Sequence, residues 1–181
     1  PVSLKATGLE HLGKTEAAGV ALDLHRADEV RRAHKRMTES LGDAMEPAVV
    51  QQMVTPGVDL AVGVHQHPAV GGVIAVGPGG AAGATSGPTV VRVLPLTDLD
   101  VDRLLGREPI AGWLAAADPS VDRAALVDVL LRLARLAEDL PEVCEVRANP
   151  VIVAHDGVVI TDLEVRLAPW RRLDPLDLRR L

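Results

Sequence analysis

Apolar and polar positions change period several times along the chain, and the changes mark its elements. Val2–Ala6 and Gly19–Leu24 are short strand-forming runs on either side of a polar loop, GLEHLGKTEA. From Ala27 to Leu41 the spacing is helical, with Val30, Ala33, Met37 and Leu41 on one face. Asp28 and Glu29 fall in its first turn, where negative charge complements the helix dipole. Ala48–Val54, Val58–His65 and Val70–Val76 are β-branched runs separated by Pro and Gly. Val76–Thr89, VGPGGAAGATSGPT, is glycine-rich and uncharged and reads as a flexible loop. Val90–Leu94 resumes a strand, and TDLDVDRLLG begins a short helix with Thr97 as its cap. Pro109–Leu114 fits no single period. Ser120 is expected to cap the clearest helix, Val121–Leu140, whose apolar face carries Ala125, Leu126, Val129, Leu130, Leu133 and Leu136. Strands and helices mix without strict alternation, which predicts an α+β fold, a sandwich of mainly antiparallel strands.

The most strand-like segment is Glu142–Leu167, EVCEVRANPVIVAHDGVVITDLEVRL, two β-rich runs folded back on a His-Asp-Gly turn. Two registers suit that turn, and both predict the same facing. Val146, Ala148, Ile152, Val159, Leu163 and Val165 share one face; Arg147, Asn149, Val151, Ile160, Asp162 and Glu164 share the other. One register sets Asn149 opposite Asp162 and Arg147 opposite Glu164. The other opposes Arg147 to Arg166, a like-charge contact that disfavours it. In the first register Asn149 and Asp162 form an oxygen-rich pair suited to Mg²⁺, a hard cation that prefers a few protein oxygens plus phosphate and water. The competing reading is a solvated sheet face with a surface Arg–Glu pair contributing less than about 1 kcal/mol.

Composition narrows the function. The 181 residues allow one sizeable core or two lobes, and 48% apolar with 24% charged residues is ordinary for a globular protein. A net charge of -6, with two Trp and no Tyr or Phe, argues against nucleic acid, for which there is neither a basic surface nor a stacking platform. The single cysteine, Cys144, has no internal disulfide partner and suits a reducing, cytoplasmic setting. No run approaches the roughly 18 apolar residues of a membrane span. The N-terminus has no signal-peptide character and opens directly on a strand, so the chain is expected to start inside a larger domain.

Other chemistry is sparser. Lys5 on the first strand and Lys14 in a Gly-containing loop could address phosphate or be surface lysines. GPGG lacks the Lys-Ser/Thr of a specific phosphate loop. His65 and His67 alternate on one strand without a third ligand, Cys144 reads as inert core, and Ser86 has no base partner.

In order along the chain, LKATGLEHLGKTEAAGV, VVQQMVTPGVDLAVGV, GGVIAVGPGG, VVRVLPLTDLD, LAEDLPEVCEVRANPVIV and GVVITDLEVRL resemble the ATP-grasp region of ADP-forming acyl-CoA synthetases. These are relatives of the succinyl-CoA synthetase β-subunit, often fused to GNAT acetyltransferases. The resemblance covers Pro1 to about Pro169. It implies an ATP-grasp fold with a large C-terminal lobe and an incomplete small lobe, residues 1–169 forming the domain and 170–181 a tail or linker. It also implies ATP or ADP between two lobes, Mg²⁺ on the phosphates, and acyl phosphate and phosphohistidine chemistry completed by CoA-binding and ligase domains elsewhere.

By position, Lys5 resembles the strand lysine that contacts phosphate, and His11, Leu12, Gly13 and Lys14 the loop that covers it. Gln51, Met53 and Val54 correspond to the adenine-binding hinge, Asp59 to the acid near ribose and phosphates, and Asn149 and Asp162 to the Mg²⁺ ligands. The chain departs from the family at Gly13, at about Ala84, and at Arg147, which stands where relatives carry an acid. Glu164, across the hairpin, stands where they are often basic. Either the Arg147–Glu164 pair preserves a salt bridge in reverse and leaves Asn149 and Asp162 free for metal, or Arg147 stands where Mg²⁺ should be and itself neutralises phosphate. The alternative is a degenerate, non-catalytic ATP-grasp module that regulates or scaffolds a linked acetyltransferase.

Overall fold

Strand β1 (Val2–Ala6) is the centre of a three-stranded antiparallel sheet, flanked by β2 (Val20–Leu24) and β3 (Ala48–Gln52). The computed structural model describes residues 1–6, 19–45, 47–67, 70–80, 89–117 and 120–169. The chain divides into two units, Pro1–Val54 and Thr55–Leu181.

In the first unit, helix α1 spans Ala27–Leu41, the bounds that its apolar period predicts. It buries Ala33 and Met37 against Leu4 and Met45, because residues one turn apart on a helix share the face turned to the sheet. The Glu29 carboxylate accepts from the backbone N–H groups of His25 at 2.8 Å and Arg26 at 3.1 Å, closing the helix start. Leu4 turns toward α1, so Ser3 and Lys5 turn to the opposite face of β1.

The second unit is a six-stranded antiparallel sheet. Its order is β6 (Val90–Val93), β5 (Gly71–Pro78), β4 (Val58–His67), β7 (Val143–Ala154) and β8 (Gly157–Ile160), with β9 (Leu163–Leu167) also pairing β7. Helices α2 (Asp98–Leu105), α3 (Ile110–Ala117) and α4 (Arg123–Asp139) cover one face. Leu60, Val62, Ile74 and Val76 from the sheet are fully buried with Leu104, Leu105, Ile110, Leu126 and Leu130 from the helices. With almost no aromatic residues available, this aliphatic layer supplies the core. Each such side chain contributes about 1.5–3 kcal/mol on burial.

Thr97 caps α2 as expected: its hydroxyl accepts from the Asp100 N–H at 3.3 Å, and the Asp100 carboxylate accepts from the Thr97 N–H at 3.0 Å. The bond from the Thr97 hydroxyl also holds the Asp100 carboxyl below its ordinary range.

Two expectations change. The long helix starts at Arg123, with Asp122 in place of Ser120 as its cap, accepting from the Ala125 N–H at 2.9 Å. The Asp122 N–H is bonded to the Ala154 carbonyl at 2.8 Å, which holds that residue outside the helix. On the helix face, Ala134 and Ala137 are buried beside Leu126, Leu130 and Leu133, while Ala125, Val129 and Leu136 lie at its margins. Pro109–Leu114 resolves into α3, which begins after Pro109 and buries Ile110 and Leu114. Among the described residues no helix is long and apolar enough to cross a membrane.

Candidate functional site

Alternation along β4 sends Val58, Leu60, Val62 and Val64 into the core, which leaves Asp59, Ala61, Gly63 and His65 on the face without helices. On β7 the alternation is broken. Val62 pairs with Ala148 and Leu60 with Val151, so Ala61 stands against two residues, Asn149 and Pro150. That is a β-bulge, and it reverses the facing of everything beyond it. Val146 and Ala148 are buried before it, Val151 and Val153 after it.

The continuous facing expected of the hairpin is therefore corrected. Val151 belongs to the core with Val146 and Ala148, Ile160 packs against that core, and Ile152 and Val159 do not join it. The bulge was invisible to a count by twos. Leu163 and Val165 pair with Ala148 and Val146 but are exposed on the edge strand, at 52% and 44%. Cys144 is half-buried at that edge rather than in the core, with its thiol donating to the Arg166 carbonyl at 3.2 Å.

The register itself is the one expected. Ala154 pairs with Gly157 across the turn, Val151 with Ile160 and Arg147 with Glu164. The partner strand is interrupted at Thr161 and Asp162, level with the bulge, and the Asn149 N–H donates to the Asp162 carbonyl at 3.1 Å. Asn149 and Asp162 are thus neighbours, both exposed, where both strands leave regular geometry.

The end of β5 closes on the same place. The Gly79 N–H donates to the Asp59 carbonyl at 2.9 Å, and the Gly80 N–H donates to Asn149 Oδ1 at 2.9 Å. Neither glycine can be replaced without movement. A Cβ on Gly79 would lie 2.3 Å from the Leu60 carbonyl, and one on Gly80 would lie 2.5 Å from Asp59 Oδ2. Gly80 also has φ +57, in the left-handed region where a side chain is strained. Asp59, Gly79, Gly80, Asn149 and Asp162 are joined into one cluster. Asp59 is exposed as a residue, yet packing around its carboxyl removes water and raises its pKa above the ordinary 3.8.

This donor set fits a hard divalent cation. The amide oxygen and the two carboxylates belong to exposed residues, and Asn149 Oδ1 has a second lone pair beyond the one that Gly80 uses. Among the described residues no group of three or more His, Cys, Asp or Glu is placed to hold a metal ion.

Arg147 is exposed. Its Nε bonds Glu145 Oε1 at 2.7 Å, whereas Glu164, the partner expected from the register, is 3.9 Å away. Glu145 was missed by the sequence reading. Its second oxygen bonds Arg166 Nη2 at 2.8 Å. Gly79 and Gly80 were also undervalued: composition alone marked them as a weak phosphate loop, while their role here is close backbone approach.

In the first unit, Ser3 pairs with Gln51 and Lys5 with Val49, which puts Lys5 and Gln51 on one face of the small sheet. Met53 follows the strand and donates its N–H to the Pro1 carbonyl at 3.1 Å; Val54 ends the unit. A solvent-open groove of about 560 Å³ lies on the opposite, helix-bearing side, lined by Leu4, Val30, Arg31, His34, Pro47, Ala48 and Val50. It contains none of the expected site residues. His11, Leu12, Gly13, Lys14 and Ala84 lie outside the described residues.

The fold is shared with known proteins. The ATP-grasp domain family matches residues 1–167. An acetate–CoA ligase (ADP-forming) II of Archaeoglobus fulgidus is 30% identical over 178 residues, covering 96% of this chain and 26% of that protein. The β subunit of the acetate–CoA ligase (ADP-forming) II of Pyrococcus furiosus is 26% identical, covering 92% and 75%. Among solved structures, the dinucleotide-forming acetyl-coenzyme A synthetase 1 of Candidatus Korarchaeum cryptofilum, in complex with coenzyme A and Ca-AMPCP, superposes with a TM-score of 0.78. It is 28% identical, covering 93% of this chain and 76% of that one. The same enzyme has been solved with Mg-AMPPCP. The chain thus spans about a quarter of the first relative and three quarters of the second.

Proposed function

This chain belongs to the ATP-grasp family, as the ATP-grasp domain of ADP-forming acyl-CoA synthetases, and on that premise we propose that it binds ATP or ADP with Mg²⁺ for an acid–CoA ligase. In this reading Asn149 and Asp162 hold the metal, with Asp59 beside them. Lys5 neutralises phosphate, and His11, Leu12, Gly13 and Lys14 cover it. Gln51, Met53 and Val54 meet the adenine. When bound, Mg²⁺ would offset the charge of the phosphate oxygens.

The chain's own part is electrostatic. Backbone and carboxylate groups held by the bulge and the glycine pair need no rearrangement when charge moves between phosphates. The covalent acceptor and the CoA site are assigned to other domains of the same or a partner chain, the setting in which relatives work as subunits or segments of larger synthetases. Residues 1–169 form the domain in this proposal and 170–181 a tail or linker; a cytoplasmic location suits the single cysteine. The reported relatives all carry the names of enzymes, and the non-catalytic alternative has no support among them.

The observation that carries the reading is the Gly80–Asn149 bond at 2.9 Å, with Asp59 against the same glycine. It brings Asp59 and Asn149, residues far apart in sequence that the family resemblance had singled out separately, against one glycine. The test is the reverse reaction of the intact protein with its partner domains: acetyl-CoA, ADP and phosphate should yield ATP, acetate and free CoA. Asn149→Ala should lower the rate on the order of 100-fold. A folded protein that makes no ATP from any short acyl-CoA would contradict it.

A further inference from the structure

The row of side chains on the open face of β7 and β9 continues away from the Asn149–Asp162 pair. Along β7 it runs Asn149, Arg147, Glu145; opposite them stand Asp162, Glu164 and Arg166. The outer four groups form a square of alternating charge. Glu145 is its keystone, since each of its oxygens holds one guanidinium, Arg147 at 2.7 Å and Arg166 at 2.8 Å. Its side chain is 18% exposed, against 63% for Arg147 and 68% for Glu164. The short, charge-assisted and better shielded contacts therefore belong to Glu145, and the 3.9 Å Arg147–Glu164 contact is weak.

Arg147 stands between this keystone and the site. It neighbours Asn149 on its own strand and lies diagonal to Asp162, and diagonal neighbours in a sheet, about 7–8 Å apart, are within reach of a long side chain. Released from Glu145, the guanidinium has two carboxylates in range, Glu164 and Asp162. Only the second lies in the cluster with Asn149 and Gly80. A cation already on Asp162 competes directly with Mg²⁺ for the same oxygens.

We propose that Glu145 is a positioning residue: it holds Arg147 away from Asp162 and thereby keeps the Asn149–Asp162 pair open to Mg²⁺. This rests on the nucleotide-binding reading above. It also explains how the chain carries an arginine two residues before its Asn-Pro without losing the metal pair. Arg147 takes no part in binding and is held out of the way.

The test uses the intact protein and reads ADP binding by calorimetry with and without Mg²⁺, and Mn²⁺ binding in the presence of ADP by electron paramagnetic resonance. Glu145→Gln should weaken the metal-dependent part of binding about tenfold and leave metal-free ADP binding unchanged. The double variant Glu145→Gln/Arg147→Ala should return metal binding to the wild-type level, which a merely loosened hairpin would not do. Arg147→Ala alone should bind metal as well as the wild type, and it keeps the idea testable if Glu145→Gln does not fold. Unchanged metal binding in Glu145→Gln, no rescue in the double variant, or a loss in Arg147→Ala would each overturn the proposal. Wild-type protein that binds no Mg²⁺–ADP would instead remove the underlying reading, and this inference with it.

Discussion

The backbone N–H of Gly80 donates to Oδ1 of Asn149 across 2.9 Å, joining the end of β5 to the bulge of β7 over 69 positions of sequence. Gly80 has φ +57, a backbone that strains any side chain, and a Cβ there would lie 2.5 Å from Asp59 Oδ2, which would have to shift. Gly80→Ala is expected to cost about 1–2 kcal/mol from the left-handed backbone alone. That corresponds to a fall in Tm of roughly 2–8 °C, taking about 2–4 °C per kcal/mol. Nucleotide affinity should fall further than stability, because the added methyl displaces Asp59. Thermal melts beside ADP titrations separate the two effects; equal affinity in wild type and variant would argue against the cluster.

Asn149 has two separable duties, accepting from Gly80 and facing the proposed metal. Asn149→Asp keeps an oxygen for both and should retain measurable Mg²⁺-dependent binding. Asn149→Ala leaves the Gly80 N–H without its acceptor, a loss of about 1 kcal/mol in stability, and should abolish the metal dependence. The comparison is made by calorimetry on the two variants side by side.

Asp59 titrates above its ordinary 3.8 because packing strips water from its carboxyl. The folded state therefore holds that proton more tightly than the unfolded chain does. The resulting stability is fully present below pH 3.8 and is lost as the pH rises through the folded value. At neutral pH the ionised group is a cost to folding. Asp59→Asn should raise Tm at pH 7, have little effect at pH 3, and weaken nucleotide binding. A Tm that falls at pH 7 would contradict the desolvation argument.

The start of the long helix α4 depends on Asp122, whose carboxylate accepts from the Ala125 N–H at 2.9 Å. Asp122→Ala should cost about 1 kcal/mol by chemical denaturation, without affecting ADP binding.

Much of this was legible in the sequence because local rules governed it. Ala27–Leu41 declared itself by helical spacing, and Thr97 by cap chemistry. The hairpin register followed from opposing Arg147 to Glu164 rather than to another arginine. What escaped was set by contacts across the sheet. The bulge at Asn149–Pro150 exists only relative to Ala61 of β4, so counting along β7 carried Val151 to the wrong face. Ser120 and Asp122 are equally good cap residues by type; a bond to Ala154, far along the chain, decides between them. Glu145 was passed over because cross-strand pairing pointed to Glu164, while the shorter contact runs along the same strand. Asn149 was legible from the hairpin register and Asp59 only through family resemblance, and their shared contact with Gly80 is a property of the fold.

The central claim is that the Asn149–Asp162 pair makes nucleotide binding depend on metal. It is tested most directly by calorimetric titration of the intact protein with ADP, with and without Mg²⁺, in wild type and in Asp162→Asn. The account predicts saturable binding that tightens with Mg²⁺ in the wild type and loses that tightening in the variant. Binding that ignores Mg²⁺ in both, or the same Mg²⁺ enhancement in both, would contradict it.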